Sequence, residues 1–286
     1  MHDIIIIGGG VAGLTAATYA CRAGKSVLVI EKNAFGGQIT WSPRVENFPG
    51  FVSVSGVELG DKLLEQAMAQ GAEVELDEVT AVTVENGVKK VACLSGAEFE
   101  APALIVAVGA RPRPLGVARE EEVVGSGVGY CAVCGGGNSA LQDALLLSET
   151  CSRVTLIHRR ADFRGEQKLV EALRKKDNVE FRLNARVTQL LGEEELTGVV
   201  LEQDGARVEL PVEGLFVAVG HQSDNGIFAP LLALDESGYA ASGEDCLTKT
   251  PGVFVAGDCR RKSVRQLTTA AADGAVAALA ACRYLG

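Results

Sequence analysis

Cys131 and Cys134 are separated by two residues, a spacing at which two thiols can close a small, reversible disulfide. Such pairs titrate and exchange more readily than an ordinary cysteine does. A metal site is the alternative for two closely spaced cysteines, but no second pair of cysteines or histidines in the sequence supplies the other two ligands. The spacing therefore predicts a two-electron thiol–disulfide centre at Cys131 and Cys134.

A glycine-rich loop follows the cysteine pair directly, because residues 135–140 read Gly-x-Gly-x-x-Ala. This pattern lets the backbone approach a pyrophosphate at the N-terminus of a helix. A similar pattern, Gly-x-Gly-x-x-Gly, occupies residues 8–13 after the apolar run 4–7, which is typical of a buried parallel strand. The chain thus predicts two dinucleotide-binding loops, although either pattern alone also occurs as a tight turn in an ordinary βαβ unit.

The strands that follow the two loops end in residues of opposite charge. Residues 25–30 form the strand after the first loop and end at Glu31, whose carboxylate can accept the ribose hydroxyls of an adenine dinucleotide. At the same spacing in the second module stand His158, Arg159 and Arg160, and arginines can hold a 2′-phosphate through charge-assisted bonds. The second site is therefore predicted to prefer NADP over NAD. The alternatives are solvated surface charges and, for His158, a histidine that only packs.

A second internal match supports a duplicated plan. Residues 104–109 and 215–220 both read as a buried strand followed by a glycine. The first module has too few strands of its own, so we expect the C-terminal part of the chain to complete it. The predicted fold class is α/β, with two Rossmann-like, doubly wound, three-layer dinucleotide-binding domains. We expect residues 1–114 and 222–286 to form the first, discontinuous domain and residues 115–221 to form the second.

The C-terminal part carries its own candidate binding groups. A predicted buried strand at residues 253–257 ends in Asp258, and a long alanine-rich helix opens at Arg265 and Gln266. Asp258 can accept a hydrogen bond from a ribityl hydroxyl, and the helix N-terminus can place its positive end against an electron-rich ring. The alternative is an N-capping aspartate and a helix that only packs in the core.

Composition narrows the class of protein. The chain has 286 residues, of which 47% are hydrophobic and 22% charged, so a globular protein with two cores is expected. Its net charge of −10 argues against a general nucleic-acid binder, and no apolar run approaches a membrane-spanning length. The sequence leads from Met1 straight into a core strand without a basic leader segment, and we expect a cytoplasmic protein.

The motifs in this order resemble the low-molecular-weight thioredoxin reductases of the bacterial type, which are FAD- and NADPH-dependent pyridine nucleotide-disulfide oxidoreductases. The resemblance runs from residue 3 to about residue 285 and also includes Gly-Gly-Gln-Ile-Thr at residues 36–40 and Val-Glu-Asn-Phe-Pro-Gly at residues 45–50. It implies FAD on the first and last parts of the chain and NADPH on the middle. It also implies a thioredoxin or thioredoxin-like partner, a homodimer, and rotation of one domain against the other.

The resemblance further implies roles for individual residues. The implied FAD-binding residues are Gly8, Gly10, Gly13, Glu31, Gly37, Gln38, Asn47, Asp258, Arg265 and Gln266. The implied NADPH-binding residues are Gly135, Gly137, Asn138, Ser139, Ala140, His158, Arg159, Arg160 and Arg164, the last of them one helical turn beyond Arg160. Cys134 would face the flavin, and Cys131 would attack the disulfide of the partner protein.

One departure from the family pattern is large. In the family, an acidic residue, a short loop and the first strand of the NADPH module separate the second cysteine from the glycine loop, whereas Cys134 here runs directly into Gly135. We therefore expect that a segment is absent, that the module lacks its first strand, and that the acid has no counterpart. Three alternatives stay open: a small-molecule dithiol oxidase, a reductase of another thioredoxin-like partner, and a flavin-binding redox sensor without turnover.

Overall fold

The computed structural model describes residues 1–120 and 129–286. In chain order the strands are β1 Ile4–Ile7, β2 Val27–Glu31, β3 Glu73–Leu76, β4 Val79–Glu85, β5 Val88–Cys93, β6 Glu98–Ala101, β7 Ala103–Val106, β8 Ala110–Pro112, β9 Tyr130–Gly135, β10 Arg153–Ile157, β11 Val179–Arg182, β12 Ala185–Leu191, β13 Gly198–Gln203, β14 Ala206–Leu210, β15 Gly214–Ala218, β16 His221–Ser223 and β17 Val253–Val255. The α-helices are α1 Val11–Arg22, α2 Gly56–Ala69, α3 Asn138–Ser148, α4 Gln167–Arg174 and α5 Leu267–Leu285. Short 3-10 helices cover Gly37–Trp41, Gly226–Phe228 and Gly257–Cys259.

The chain folds as two compact units, each built on a parallel sheet. The first unit comprises residues 1–111 and 222–286, and the second comprises residues 112–221. In each unit, helices connect the first three parallel strands, β1 to β2 to β3 and β9 to β10 to β11, as βαβ connections require. The prediction of an α/β protein with two dinucleotide-binding folds, the first of them discontinuous, is confirmed.

The sheet of the first unit has the strand order β17-β7-β1-β2-β3, and its pairings are parallel. Its central strand β1 is four isoleucines, of which Ile4 and Ile6 pack against α1 and α5 on one face. Ile5 and Ile7 face the antiparallel sheet β4-β5-β6 on the other. Both faces are therefore covered, which explains why β1 is a continuous apolar run rather than an alternating one.

The strand β17, which lies far along the chain, pairs with β7 and completes this first sheet. Val253 lies opposite Leu104, and Phe254 lies opposite Ile105. The expectation that the C-terminal part completes the first module is confirmed. In the described part of the chain, no helix combines the length and the apolar character needed to cross a membrane.

The sheet of the second unit has the order β11-β10-β9-β15, so β9 is paired in parallel on both sides. The expectation that this module lacks its first strand is wrong, because the Cys-Ala-Val-Cys segment itself forms that strand. A buried thiol packs as a small apolar group, so the run from Cys131 to Cys134 is as suitable for a sheet centre as a run of valines. The antiparallel sheet β12-β13-β14 packs against one face.

A buried ion group joins α5 to the segment that follows β17. The carboxylate of Asp273, which is 5% exposed, accepts hydrogen bonds from the Gly257 amide at 3.0 Å, from Arg260 Nε at 2.8 Å and Nη2 at 2.7 Å, and from Lys262 Nζ at 2.9 Å. Burial alone would raise the pKa of Asp273, but the bonds from Arg260 and Lys262 outweigh it and lower that pKa. The group therefore fixes the loop on which Asp258 stands.

We predict that Asp273→Asn lowers the free energy of unfolding of this unit by about 3–5 kcal/mol, because it leaves two buried cations without their anion. Urea unfolding followed by circular dichroism measures the change. Because the pKa of Asp273 is lowered in the folded chain, its stabilisation is present above the ordinary carboxyl pKa and is lost as pH falls through the folded-state value. The difference between wild type and variant should therefore shrink in acid.

The control is Lys62→Gln, which removes an exposed pair with Glu58 at 3.5 Å within α2. Exposed pairs of this kind contribute about 0.3–0.5 kcal/mol, so the urea midpoint should hardly move. Equal midpoints for Asp273→Asn and Lys62→Gln at neutral pH would contradict the assignment of a stabilising role to the buried group.

Candidate cofactor and redox sites

The first glycine loop joins β1 to α1 and begins the helix at Gly10, its N-cap. A Cβ at Gly13 would lie 1.8 Å from the carbonyl oxygen of Gly8, so only glycine lets α1 approach the loop this closely. The Gly36 amide donates to the Gly9 carbonyl at 2.8 Å, which brings the segment of Gly37 against the loop. The predicted residues Gly8, Gly10, Gly13 and Gly37 are thus brought together at the positive end of a helix, where a pyrophosphate can bind.

Glu31 ends β2 at the edge of the sheet where the glycine loop lies. Its Oε2 accepts a hydrogen bond from the Gly9 amide at 2.7 Å, and its Oε1 accepts one from the Asn33 amide at 3.0 Å. Ribose hydroxyls are held at this position in dinucleotide-binding folds. The carboxylate is therefore held in place to receive the ribose of an adenine dinucleotide.

A cleft of about 530 Å³ lies at the N-terminus of α5, and Asn47, Asp258, Arg265 and Gln266 are among the residues that line it. The Asn47 amide donates from Nδ2 to Gln266 Oε1 at 3.2 Å. Gln266 is the N-cap of α5 and forms a reciprocal capping box with Thr269. Four of the residues predicted for the flavin therefore share one cleft at the positive end of a 19-residue helix.

Arg265 and Gln38, two of the residues predicted to bind the flavin, each contact another residue of the chain. The Arg265 guanidinium lies 4.3 Å from the ring centroid of Tyr239, and its buried Nε has no hydrogen-bond partner among the described residues. The Gln38 side chain donates from Nε2 to the carbonyl of Ala110. An acid at the ribose position, a helix N-terminus and a buried donor without a partner fit a flavin dinucleotide. Tyr239 was missed by the sequence analysis, and no local pattern marks it.

The second glycine loop joins β9 to α3, with Gly137 as the N-cap. Asn138 donates from Nδ2 to Glu166 Oε1 at 2.9 Å, and its Oδ1 accepts from the Glu166 amide at 2.7 Å. Ser139 is exposed in the first turn of α3, whereas Ala140 is fully buried beneath it. The loop is thereby tied to the segment that carries Arg164.

His158 follows β10 and is buried against the second glycine loop. A Cβ at Gly136 would lie 2.2 Å from His158 Cε1, and the ring stacks on Phe163 with centroids 5.4 Å apart. Its Nε2 lies 3.1 Å from the carbonyl oxygen of Asp162. Burial, and after it the nearby arginines, lower the pKa of His158, so the neutral ring is favoured. His158 therefore packs beneath the loop, which is the alternative considered for it.

Arg159, Arg160 and Arg164 are exposed at the edge of the sheet that carries this loop. The positive charges of all three guanidinium groups act to lower the pKa of His158. The expectation that Arg164 lies one helical turn beyond Arg160 is wrong, because the intervening residues are not helical. Arg164 is positioned instead by its own amide, which donates to the Gly136 carbonyl at 2.7 Å. The cluster can hold a 2′-phosphate beside the loop.

The structure does not bring the two thiols of the predicted redox pair together. Cys131 and Cys134 are three residues apart in β9, and Cys131 packs on the α3 face while Cys134 packs on the face of β12-β13-β14. Three residues of strand span about 10 Å, whereas a disulfide needs Cα atoms within about 7 Å. In this conformation, therefore, the two cannot form a disulfide, because strand geometry directs them to opposite faces. Their exchange stays a prediction that requires β9 to change its pairing.

Both thiols are also poorly suited to react where they lie. Cys131 is 1% exposed and Cys134 is 3% exposed. Burial raises the pKa of each thiol to about 12, so the reactive thiolate is disfavoured at neutral pH.

The Cys131 Sγ lies instead 3.0 Å from the Sγ of Cys151, a residue that the sequence analysis missed. The predicted βαβ unit could have indicated this contact, because such a unit returns the chain to the edge of the sheet where its first strand began.

The residues that the structure describes contain no group of three or more His, Cys, Asp or Glu side chains that could hold a metal ion. Both units are nucleotide-binding folds. They differ in the charge at the end of the strand that follows the glycine loop, which is negative in the first unit and positive in the second. Chains of this plan form a large class of dinucleotide-dependent oxidoreductases.

The chain belongs to the pyridine nucleotide-disulphide oxidoreductase family, whose model matches residues 2–274. It is 38% identical over 301 residues to a thioredoxin reductase of Listeria monocytogenes, with 100% of this chain and 94% of the relative covered. It is 39% identical over 302 residues to a thioredoxin reductase of Mycolicibacterium smegmatis, with 100% and 97% covered. Among solved structures, thioredoxin reductase of Lactococcus lactis matches with a TM-score of 0.86 at 30% identity, covering 100% of this chain and 99% of that one.

The alignment with the Listeria relative is longer than this chain, 301 residues against 286. The relative therefore carries residues within the aligned span that have no counterpart here. A shorter connection between the cysteines and the second glycine loop is in keeping with that difference.

We predict that Cys131 and Cys134 are alkylated at least about tenfold more slowly than Cys21 and Cys282 in the native chain at pH 7.5, because burial disfavours their thiolates. Peptide-resolved mass spectrometry after timed iodoacetamide treatment measures the rates. In urea the rates should become similar. Native labelling of Cys131 and Cys134 at the urea rate would show that β9 does not hold them in the sheet.

Proposed function

We propose that this chain is an NADPH-dependent flavoprotein disulfide reductase that passes electrons from NADPH through FAD to thioredoxin or a thioredoxin-like protein. The observation that carries the proposal is the contrast between its two nucleotide folds. Glu31 ends the strand after the first glycine loop, and an arginine cluster follows the equivalent strand in the second. Relatives named thioredoxin reductase cover the whole chain and support the same assignment.

FAD is proposed to bind the first unit. The loop at Gly8, Gly10 and Gly13 would hold its pyrophosphate and Glu31 its adenosine ribose, while the cleft at Asp258 and the N-terminus of α5 would receive the other half. A bound flavin supplies the chemistry of accepting a hydride and passing on two electrons. The helix N-terminus favours negative charge on a group held beside it. The buried ion group of Asp273 keeps the loop of Asp258 in position for this.

NADPH is proposed to bind the second unit, with its pyrophosphate on the loop that starts α3. The exposed guanidinium groups of Arg159 and Arg160 are available for the 2′-phosphate that distinguishes NADPH from NADH. Buried His158 supports the loop from below and shares the same positive field. A carboxylate at this place would repel the phosphate, so the sign of the charge decides the preference.

We predict that the double variant Arg159→Ala with Arg160→Ala raises the KM for NADPH at least about 100-fold, because it removes two charged hydrogen bonds to a phosphate that contribute about 1.5–3 kcal/mol each. The KM for NADH should change less than about threefold. Anaerobic flavin bleaching with each nucleotide provides the measurement. Arg186→Ala, an exposed arginine on β12, is the matched control and should leave both values unchanged. Equal losses with NADPH and NADH would contradict the assignment.

The disulfide step is proposed to use Cys131 and Cys134, and it requires a conformational change of β9. Cys134 would receive electrons from the flavin, and Cys131 would attack the partner's disulfide to form a mixed disulfide that Cys134 resolves. Because the strand holds the two thiols on opposite faces, β9 must leave its pairing with β10 and β15 before they can meet. The exchange therefore needs an open form of the second unit.

A second candidate retains NADPH and the flavin but omits this exchange. It is favoured by the burial of both thiols in a strand that is paired on both sides. In this candidate, electrons leave the flavin directly for another acceptor. A dithiol oxidase running in the opposite direction would need little NADPH, and the arginine cluster argues against it.

We predict that Cys134→Ser lowers NADPH-driven reduction of thioredoxin by at least about a hundredfold, since a mixed disulfide on Cys131 would have no resolving thiol. Bleaching of the flavin by NADPH should stay within about twofold of wild type. Cys282→Ser, which changes a cysteine on α5 of the first unit, is the control. Undiminished thioredoxin reduction by Cys134→Ser would rule out the exchange and favour the second candidate.

Three further proposals rest on the resemblance alone. They are a thioredoxin-like protein as the electron acceptor, a homodimer as the active assembly, and the cytoplasm as the compartment.

A further inference from the structure

We propose that Cys131 and Cys151 form an intramolecular disulfide when the chain meets a small-molecule disulfide, and that this bond holds β9 in its sheet. Their Sγ atoms are 3.0 Å apart in the folded chain. A disulfide bond is about 2.05 Å long, so the two sulfurs need to approach by only about 1 Å. Cys134 lies on the opposite face of the same strand and does not compete for Cys131 in this conformation.

The fold brings these two thiols to one end of the second sheet. Cys131 is the second residue of β9 and lies opposite Val154 of β10. Cys151 lies in the short connection between α3 and β10, at the end of the sheet away from the glycine loop. The pair is therefore separated from the nucleotide site by the length of the strand.

The backbone around Cys151 is held in place independently of its thiol. Its amide donates to the Leu147 carbonyl at 2.8 Å. Asn178 donates from Nδ2 to the carbonyls of Ser148 at 2.9 Å and Cys151 at 3.0 Å. Because these bonds fix the connection, little conformational freedom is lost when the sulfurs join. The pair is thus preorganised for bond formation.

A small cleft lies beside this end of the strand. It encloses about 170 Å³, and Tyr130, Cys131, Arg153 and Thr155 are among its lining residues. The Arg153 guanidinium lies over the Tyr130 ring at 5.7 Å from its centroid. A cation at the cleft favours an approaching molecule that carries carboxylates, such as glutathione disulfide.

The reaction is a balanced thiol–disulfide exchange. The Cys151 sulfur, as its thiolate, attacks the small disulfide, forms a mixed disulfide and releases one small thiol. The second protein sulfur then attacks the mixed disulfide, closes the Cys131–Cys151 bond and releases the other small thiol. The two protein thiols lose two electrons and two protons, and the two small thiols that are released carry these electrons and protons.

This inference rests in part on the proposed function, because it concerns the same Cys131. Joined to Cys151, Cys131 is unavailable to a partner's disulfide, and β9 is fastened to the connection beside it. The bond would therefore switch off delivery to thioredoxin without affecting the nucleotide sites. Bond formation itself does not depend on that activity.

The test treats the full flavoprotein with glutathione disulfide, blocks remaining thiols, and maps the links without reduction. Trypsin is unsuitable because residues 120–152 contain no lysine or arginine, so all three cysteines share one peptide. A protease that cleaves after glutamate separates Cys131 from Cys151 at Glu149. We expect a peptide pair joined through Cys151 in the wild type and in Cys134→Ser, and no such pair in Cys151→Ala.

The expected intact mass after treatment is that of the untreated protein less two hydrogens. A link between Cys131 and Cys134, or glutathione adducts alone on Cys131 in Cys134→Ser, would overturn the proposal. Cys134→Ser keeps the test decisive even if Cys151→Ala does not fold. Flavin bleaching and thioredoxin reduction are recorded on the same untreated samples. If the untreated wild type lacks both activities but still forms the link after treatment, the result counts against the proposed function only. If the wild type has both activities but forms no link, the result counts against this inference only.

Discussion

The pairing of β9 with strands on both of its sides is the constraint on which the second unit depends. A strand in the middle of a parallel sheet must place successive side chains on opposite faces and exclude water from both. Residues 131–134 meet these requirements because alanine, valine and cysteine are all small and apolar. The same requirement separates the two thiols whose spacing suggests a redox pair. The sheet therefore holds Cys131 and Cys134 on opposite faces, whereas thiol–disulfide exchange between them requires the two sulfurs to meet.

The two nucleotide folds share a plan and differ in the charge at one edge. In both, a strand leads into a glycine loop and a helix, and the next parallel strand ends beside that loop. The first fold places the carboxylate of Glu31 there, already held by two backbone amides. The second places arginines there, above a buried histidine whose pKa is lowered. Electrostatics at this single position distinguishes the ligands of otherwise similar scaffolds.

Much of the scaffold could be read from local sequence patterns. The leucines of residues 57–70 recur on one helical face, and this stretch forms α2, Gly56–Ala69. The Asn-Gly pair at residues 86–87 is typical of a hairpin turn, and it joins β4 to β5 with both residues at the positive φ that such turns require. Glu31 and the arginines also lie where their spacing from the glycine loops predicts.

Local motifs say least about contacts that tertiary structure creates. Cys131 and Cys134 match a redox spacing, but the sheet needs a strand there and takes the same residues for it. Cys151 is distant in sequence from Cys131, and only the return of the chain through α3 brings it near. The ion group of Asp273 likewise joins residues from a loop and a helix. Such contacts depend on how elements pack, which spacing along the chain does not encode.

The pairing of β17 with β7 has a consequence for biosynthesis. Residues 253–255 leave the ribosome after every residue of the second unit has been translated. The edge of β7 stays uncovered during that interval, whereas the second unit already has all of its strands. The second unit can therefore fold first, whereas the sheet of the first unit is complete only after residues 253–255 have been made.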